Sequence, residues 1–106
     1  VVRNATLSPG PKTVHDLWVE YQHGIGGRIP AKDFRFDERG RCRFTYCKRN
    51  SVWQILVRLV GAGIDADAGC DRFYQAYGAN KSVTFIINRI AAYKRAGRGN
   101  HPNLRV

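Results

Sequence analysis

Apolar residues recur at helical spacing along this chain, and glycines, prolines and cap residues cut the pattern into segments. The clearest stretch runs from Ile64 to Ala96. A helix is expected over Asp65 to Tyr77, with Asp65 as N-cap, more acid in its first turn and Gly78 as its stop. Gly78-Ala79-Asn80 makes the turn, and a second helix runs from Ser82, its cap, to Ala96, ended by Gly97 and Gly99. In that second helix Val83, Ile86, Ile87 and Ile90 share one face. Thr84, Asn88 and Arg95 project from another, and Arg89 lies at its flank.

Upstream, TVHDLWVEYQHG predicts a helix capped by Thr13 and ending at Gly24. Val14, Leu17, Trp18 and Tyr21 form its apolar stripe, and His15, Glu20 and Gln22 are expected to look outward. The glycines Gly24, Gly26 and Gly27 read as a helix stop and a turn, since the spacing of a phosphate-binding loop is missing. Pro30 then starts a short helix from Ala31 to about Phe36. The cations Arg28, Lys32 and Arg35 flank it, as phosphate contacts or as a solvated surface.

The longest element is expected from about Glu38 to Val60, with Cys42, Tyr46, Trp53, Leu56 and Val60 on its buried side. Gly40 and Asn50-Ser51 are its weak points, where it bends or divides in two. Arg49 lies near the apolar face, to snorkel or to pair with one of the few acids. The pattern predicts an all-α fold, a small bundle of four to five helices with a C-terminal helix-turn-helix-like pair. Residues 1–12, with Pro9-Gly10-Pro11, read as a linker or disordered leader to a helical domain over 13–96. Residues 97–106, GRGNHPNLRV, read as a flexible basic extension, either an arm for a minor groove or a mobile connection. The chain is taken as one domain of a longer protein.

Charge changes the picture. There are 18 Lys and Arg against 8 Asp and Glu, a net charge of +10, which places the chain among candidate nucleic-acid binders. From Arg39 to Ile64 six basic residues occur with no acid, and from Arg72 to Val106 seven more occur, again with none. The acids cluster beside the starts of predicted helices, where they oppose the helix dipole.

Cys42, Cys47 and Cys70 form no metal signature with His15, His23 or His101, and they are expected as buried thiols in a reducing compartment. No cofactor is implied. No apolar run approaches the roughly 20 residues of a membrane span, and the first residues do not read as a signal peptide.

Thr13-Val14, Leu17-Trp18, Glu20, Gly24, Gly27 and Pro30, then Tyr46, Arg49 and the aliphatic spacing through Ile55 and Leu59, make up a further pattern. It resembles the C-terminal DNA-binding domain of the yeast glycolytic-gene transcriptional activator family, which recurs in fungal stress regulators and in crypton-type mobile elements beside tyrosine recombinases. The resemblance covers about Thr13 to Ile90. Where the family carries a Trp-Arg pair before the long helix, this chain reads FRFDERGRCRF; either Phe34-Arg35 replaces the pair or the register shifts. The resemblance implies an all-helical domain that binds specific double-stranded DNA in the nucleus.

On these grounds the expected function is that of a sequence-specific duplex reader from a transcription regulator or mobile-element protein, working through the helix around 82–96. Thr84, Asn88 and Arg89 are the candidate base contacts, since Asn pairs bidentately with adenine and Arg with guanine. Lys81, Ser82, Lys94, Arg95, Arg98, Arg43 and Lys48 are the candidate backbone contacts. Phe85 leans outward, as a second core contact or a base wedge. The expected partner is double-stranded DNA and not a membrane, with a homodimer or other domains of a longer chain in addition. The alternative is a helical protein-interaction module docking an acidic partner. RNA binding ranks below both, because Trp18, Trp53, Tyr46 and Tyr74 are assigned to helical stripes. Catalysis is not expected: Tyr74, Tyr77 and Tyr93 lack the Arg, Lys and His-x-x-Arg set of a recombinase, and His101 follows Arg98 in reversed order.

Overall fold

The computed structural model describes residues 4–99 and 101–105. Residues 1–3 of the expected leader, and residues 100 and 106 of the expected extension, lie outside the described residues. Among the described residues the chain forms five α-helices and no strand: α1 (Val14–Gln22), α2 (Phe36–Arg41), α3 (Arg43–Gly61), α4 (Ala66–Tyr77) and α5 (Val83–Arg95). Two 3₁₀ turns, Ala31–Asp33 and Pro102–Leu104, complete it. The all-α bundle is therefore as the periodicity predicts.

Local chemistry sets most of the ends. Thr13 caps α1 by accepting from the Asp16 N–H at 3.0 Å, and the Val14 N–H, which no helix carbonyl can serve, donates to the Tyr74 hydroxyl at 3.0 Å. Asp65 caps α4, and Ser82 caps α5 by accepting from the Phe85 N–H at 3.1 Å. Gly78 ends α4 with φ of +118°, a conformation that a side chain at this position would strain.

Helix α3 is the central rod, touched by α1, α2, α4 and α5. Trp53, Ile55, Leu56, Leu59 and Val52 of α3 meet Val14 and Leu17 of α1, Phe73 of α4, and Ile86 and Ile90 of α5 in one buried cluster. Each such side chain contributes about 1.5–3 kcal/mol of burial free energy. Trp53 also donates its indole N–H to the Leu17 carbonyl at 2.8 Å, so the ring is satisfied where it is fully enclosed.

Several expectations are corrected. The short helix after Pro30 is only a 3₁₀ turn, and α2 starts afterwards, at Phe36, where Glu38 accepts from the Arg35 N–H at 2.8 Å. The long helix divides at Cys42 (φ −121°, ψ 33°) rather than at Gly40 or Asn50-Ser51. The Cys42 N–H bonds back to Arg39 at 3.3 Å, closing α2 one residue early, and its carbonyl then opens α3. Val60, in the last turn of α3, is 38% exposed and Cys42 is half-buried, and the buried side of α3 is made by Arg49, Val52, Trp53, Ile55, Leu56 and Leu59. Cys70 is buried, but Cys47 is exposed.

Glu20, expected at the surface, is buried at 3% exposure, because Arg49 of α3 and Ser8 of the leader both converge on its carboxylate. The described part of the leader is thus packed: the Ile29 N–H donates to the Asn4 carbonyl at 2.9 Å, and Leu7 lies against the core. The described residues 101–105 also fold back. Leu104 is 2% exposed within the core cluster, and His101 sits 5.6 Å from both the Tyr77 and Tyr93 rings, so residues 101–105 dock on α4 in place of the expected free arm.

Candidate nucleic-acid interface

Helix α5 is fixed by its apolar side: Val83, Ile86 and Ile90 are buried against the bundle. At about 100° per residue the opposite side carries Thr84, Asn88 and Arg95, and all three are exposed. A short polar side chain, an amide and a guanidinium therefore stand in a row on a helix whose other side is anchored. Along the axis, at about 1.5 Å per residue, Thr84 and Asn88 stand about 6 Å apart and Asn88 and Arg95 about 10 Å apart.

One flank of this row faces α3. Two shallow concavities, of about 190 and 240 Å³, run between the helices and share Lys48 and Ile87. Thr45 and Thr84 line the first; Cys47, Ser51, Ala91 and Lys94 line the second. Lys48, Thr84 and Lys94, from two separate helices, are brought to one groove that no Asp or Glu lines. Two ammonium groups beside hydroxyls suit phosphate oxygens, which accept from both.

The other flank faces α4. Arg89 lies near Tyr77, whose hydroxyl is pushed above its ordinary pKa by burial, then by Tyr93, while Arg89 pulls the other way. Asn88 and Arg89 thus stand one residue's rotation apart, Asn88 in the middle of the exposed face and Arg89 at its α4 edge. Lys81, in the turn before α5, holds its ammonium 4.9 Å from the centre of the Phe85 ring. Phe85 is 38% exposed and capped by a cation rather than inserted in the core. Ser82 has its hydroxyl engaged as the helix cap. Arg98 is exposed beyond the end of α5, and its carbonyl accepts from Arg105 at 3.3 Å.

Arg43 is not part of this group. It lies across α3, in a separate concavity with Phe36, Arg39, Tyr46 and Asn50. Of the acids, Glu20 and Glu38 are buried, Asp67 is 3.5 Å from His15 where α1 meets α4, and Asp37 is 3.9 Å from Arg41 on α2.

Two residues escape periodicity altogether. Phe36 and Phe44 are 91% and 81% exposed. Each follows an arginine, Arg35-Phe36 and Arg43-Phe44, on either side of the break at Cys42, but so does the fully buried Phe73 after Arg72, so the dipeptide does not signal exposure. Among the described residues no three His, Cys, Asp or Glu side chains gather as a metal site would need, and no helix is long and apolar enough to cross a membrane.

No protein-family model matches this chain, and no curated protein or solved structure shows significant similarity to it.

Proposed function

We propose that this chain is a sequence-specific double-stranded DNA-binding domain of a nuclear transcription regulator or mobile-element protein. In this reading α5 enters the major groove, Thr84, Asn88 and Arg89 meet base edges, and Lys48 and Lys94 clamp a phosphate strand beside it. Lys81, Arg95 and Arg98 extend the phosphate contacts along and beyond the helix. The observation that carries it is the α3–α5 groove: cations from two helices flank a polar, exposed face of an anchored helix, with no acid in between. The motif resemblance from Thr13 to Ile90 points the same way. The domain is proposed to bind rather than to catalyse.

A module docking an acidic protein shares the charge but not the preference for a duplex. Titration with a cognate and a random duplex at several salt concentrations separates the two. About six phosphate contacts lower affinity roughly 10³-fold between 50 and 200 mM salt, and the cognate duplex stays ahead throughout. Equal binding to DNA and to an acidic polypeptide of matched charge would reject the DNA reading.

A further inference from the structure

The second face of α3 carries a different chemistry. Where α2 meets α3, Phe36, Arg39, Arg43, Tyr46, Cys47 and Asn50 line a concavity of about 500 Å³. Phe36 stands 91% exposed at its edge, an arrangement with no apolar partner that would explain it as core. Arg39 lies over the Tyr46 ring, 5.7 Å from its centre, and anchors itself by donating to the Phe34 carbonyl at 3.2 Å. Arg43 and Asn50 are two turns of α3 apart, on the same side as Tyr46. Asp37 is turned to Arg41 at 3.9 Å and Glu38 is buried, accepting from the Arg35 N–H at 2.8 Å, and neither lines the hollow.

We propose that this concavity holds an unpaired nucleotide of single-stranded nucleic acid, distinct from the duplex face on α5. Phe36 supplies a free ring for a base to stack on, and stacking suits any base because each has a π face. Arg39 and Arg43 supply the charge for the flanking phosphates, and the Asn50 amide can both donate to and accept from a base edge. A duplex cannot use Phe36 in this way, since its bases are already stacked on one another; a strand end, a bubble or an extruded base can. An acidic protein segment is disfavoured by the composition of the hollow, whose apolar surface comes from flat rings rather than from the aliphatic side chains that receive an amphipathic helix. Cys47 lines both this hollow and the α3–α5 groove, so the two surfaces meet on the crest of α3.

The test uses a single strand of about ten nucleotides carrying one fluorescent 2-aminopurine, with the matching blunt duplex and an acidic amphipathic peptide titrated in parallel. Binding of the single strand quenches the probe by stacking. Phe36→Ala and Phe36→Leu weaken single-strand binding about five- to a hundredfold, Phe36→Tyr restores it, and all three leave the blunt duplex affinity unchanged. Gly40→Glu serves as an independent variant: a Cβ there has open space around it, so the helix admits a side chain, and the carboxylate repels phosphate from the hollow that Gly40 lines. Single-strand binding that is equal in wild type, Phe36→Ala and Gly40→Glu overturns the proposal. So does peptide binding lost in Phe36→Ala but kept in Phe36→Leu, which assigns the hollow to a protein partner. Because the duplex is followed separately, failure of the single strand is distinguishable from failure of the duplex reading.

Discussion

Arg49 of α3 donates through Nη1 to both carboxylate oxygens of Glu20 on α1, at 2.9 and 2.8 Å, in a site where each side chain is nearly sealed from solvent. The Ser8 N–H donates to the same carboxylate at 2.7 Å, and the Ser8 hydroxyl also donates to it. One carboxylate thus ties the leader, α1 and α3 together. Arg49→Met strands that carboxylate in the interior and is expected to cost about 3–5 kcal/mol. Replacing both partners with apolar residues, as in Glu20→Leu with Arg49→Met, recovers most of the loss because no charge is left unpaired. Urea unfolding of the three proteins checks this; a single variant as stable as wild type would show the pair to be idle.

Gly24 and Gly27 adopt the same left-handed backbone, with φ of +78° and +75°. Their surroundings differ. A Cβ at Gly24 would overlap the Arg28 carbonyl oxygen, whereas one at Gly27 meets nothing within 4 Å. Gly27→Ala is expected to cost about 1–2 kcal/mol, the conformational penalty alone. Gly24→Ala costs more, since backbone must move as well. Thermal unfolding should rank them in that order, and a reversed order would contradict the close approach that turns the chain after α1.

The thiols divide by environment. Cys47 is exposed, while burial, with Asp67, Asp71 and Asp65 adding, pushes the Cys70 thiol up to about 12. Alkylation at mildly alkaline pH should modify Cys47 first and leave Cys70 until the protein unfolds. The raised pKa also sets a pH dependence. The folded state keeps its proton after the unfolded thiol has lost its own, so this contribution is intact below pH 9.0 and fades as pH rises toward about 12. Denaturation midpoints falling over that window in wild type, and falling less in Cys70→Ala, are the expected result.

Where the signals are local, the chain could be read directly. Asp65, Gly78 and Ser82 cap or stop α4 and α5 as their side chains and backbones dictate, and the ends match within a residue or two. Where a partner is distant, it could not. Glu20 looks like a surface residue on its own helix and is inside only because Arg49, 29 positions on, and Ser8 come to it. Leu104 is one apolar residue in a polar tail, and its burial depends on a space left beside α4. The break at Cys42 carries no glycine or proline, so no breaker marks it. The groove between α3 and α5 was half visible: Thr84 and Lys94 follow from helical periodicity, but that Lys48 joins Lys94 while Arg43 does not follows only from how α5 crosses α3.

Phosphate contacts leave a separate trace. Lys48→Ala and Lys94→Ala should each reduce the salt slope of duplex binding by about one and weaken cognate and random duplexes alike. Lys32→Ala, whose ammonium is 3.0 Å from Gln22 and away from the groove, should leave the slope unchanged. Equal slopes for all three variants would place the duplex on another face.

The most direct test of α5 as the reading helix is selection from a randomised duplex library by the wild-type domain and by Asn88→Ala and Arg89→Ala. Both residues are exposed, so neither change should disturb the fold. The wild type should recover a defined motif, and each variant should lose preference at one position of it, by about 1–3 kcal/mol of discrimination, while keeping the rest. Recovery of the same motif with undiminished strength by both variants would contradict it.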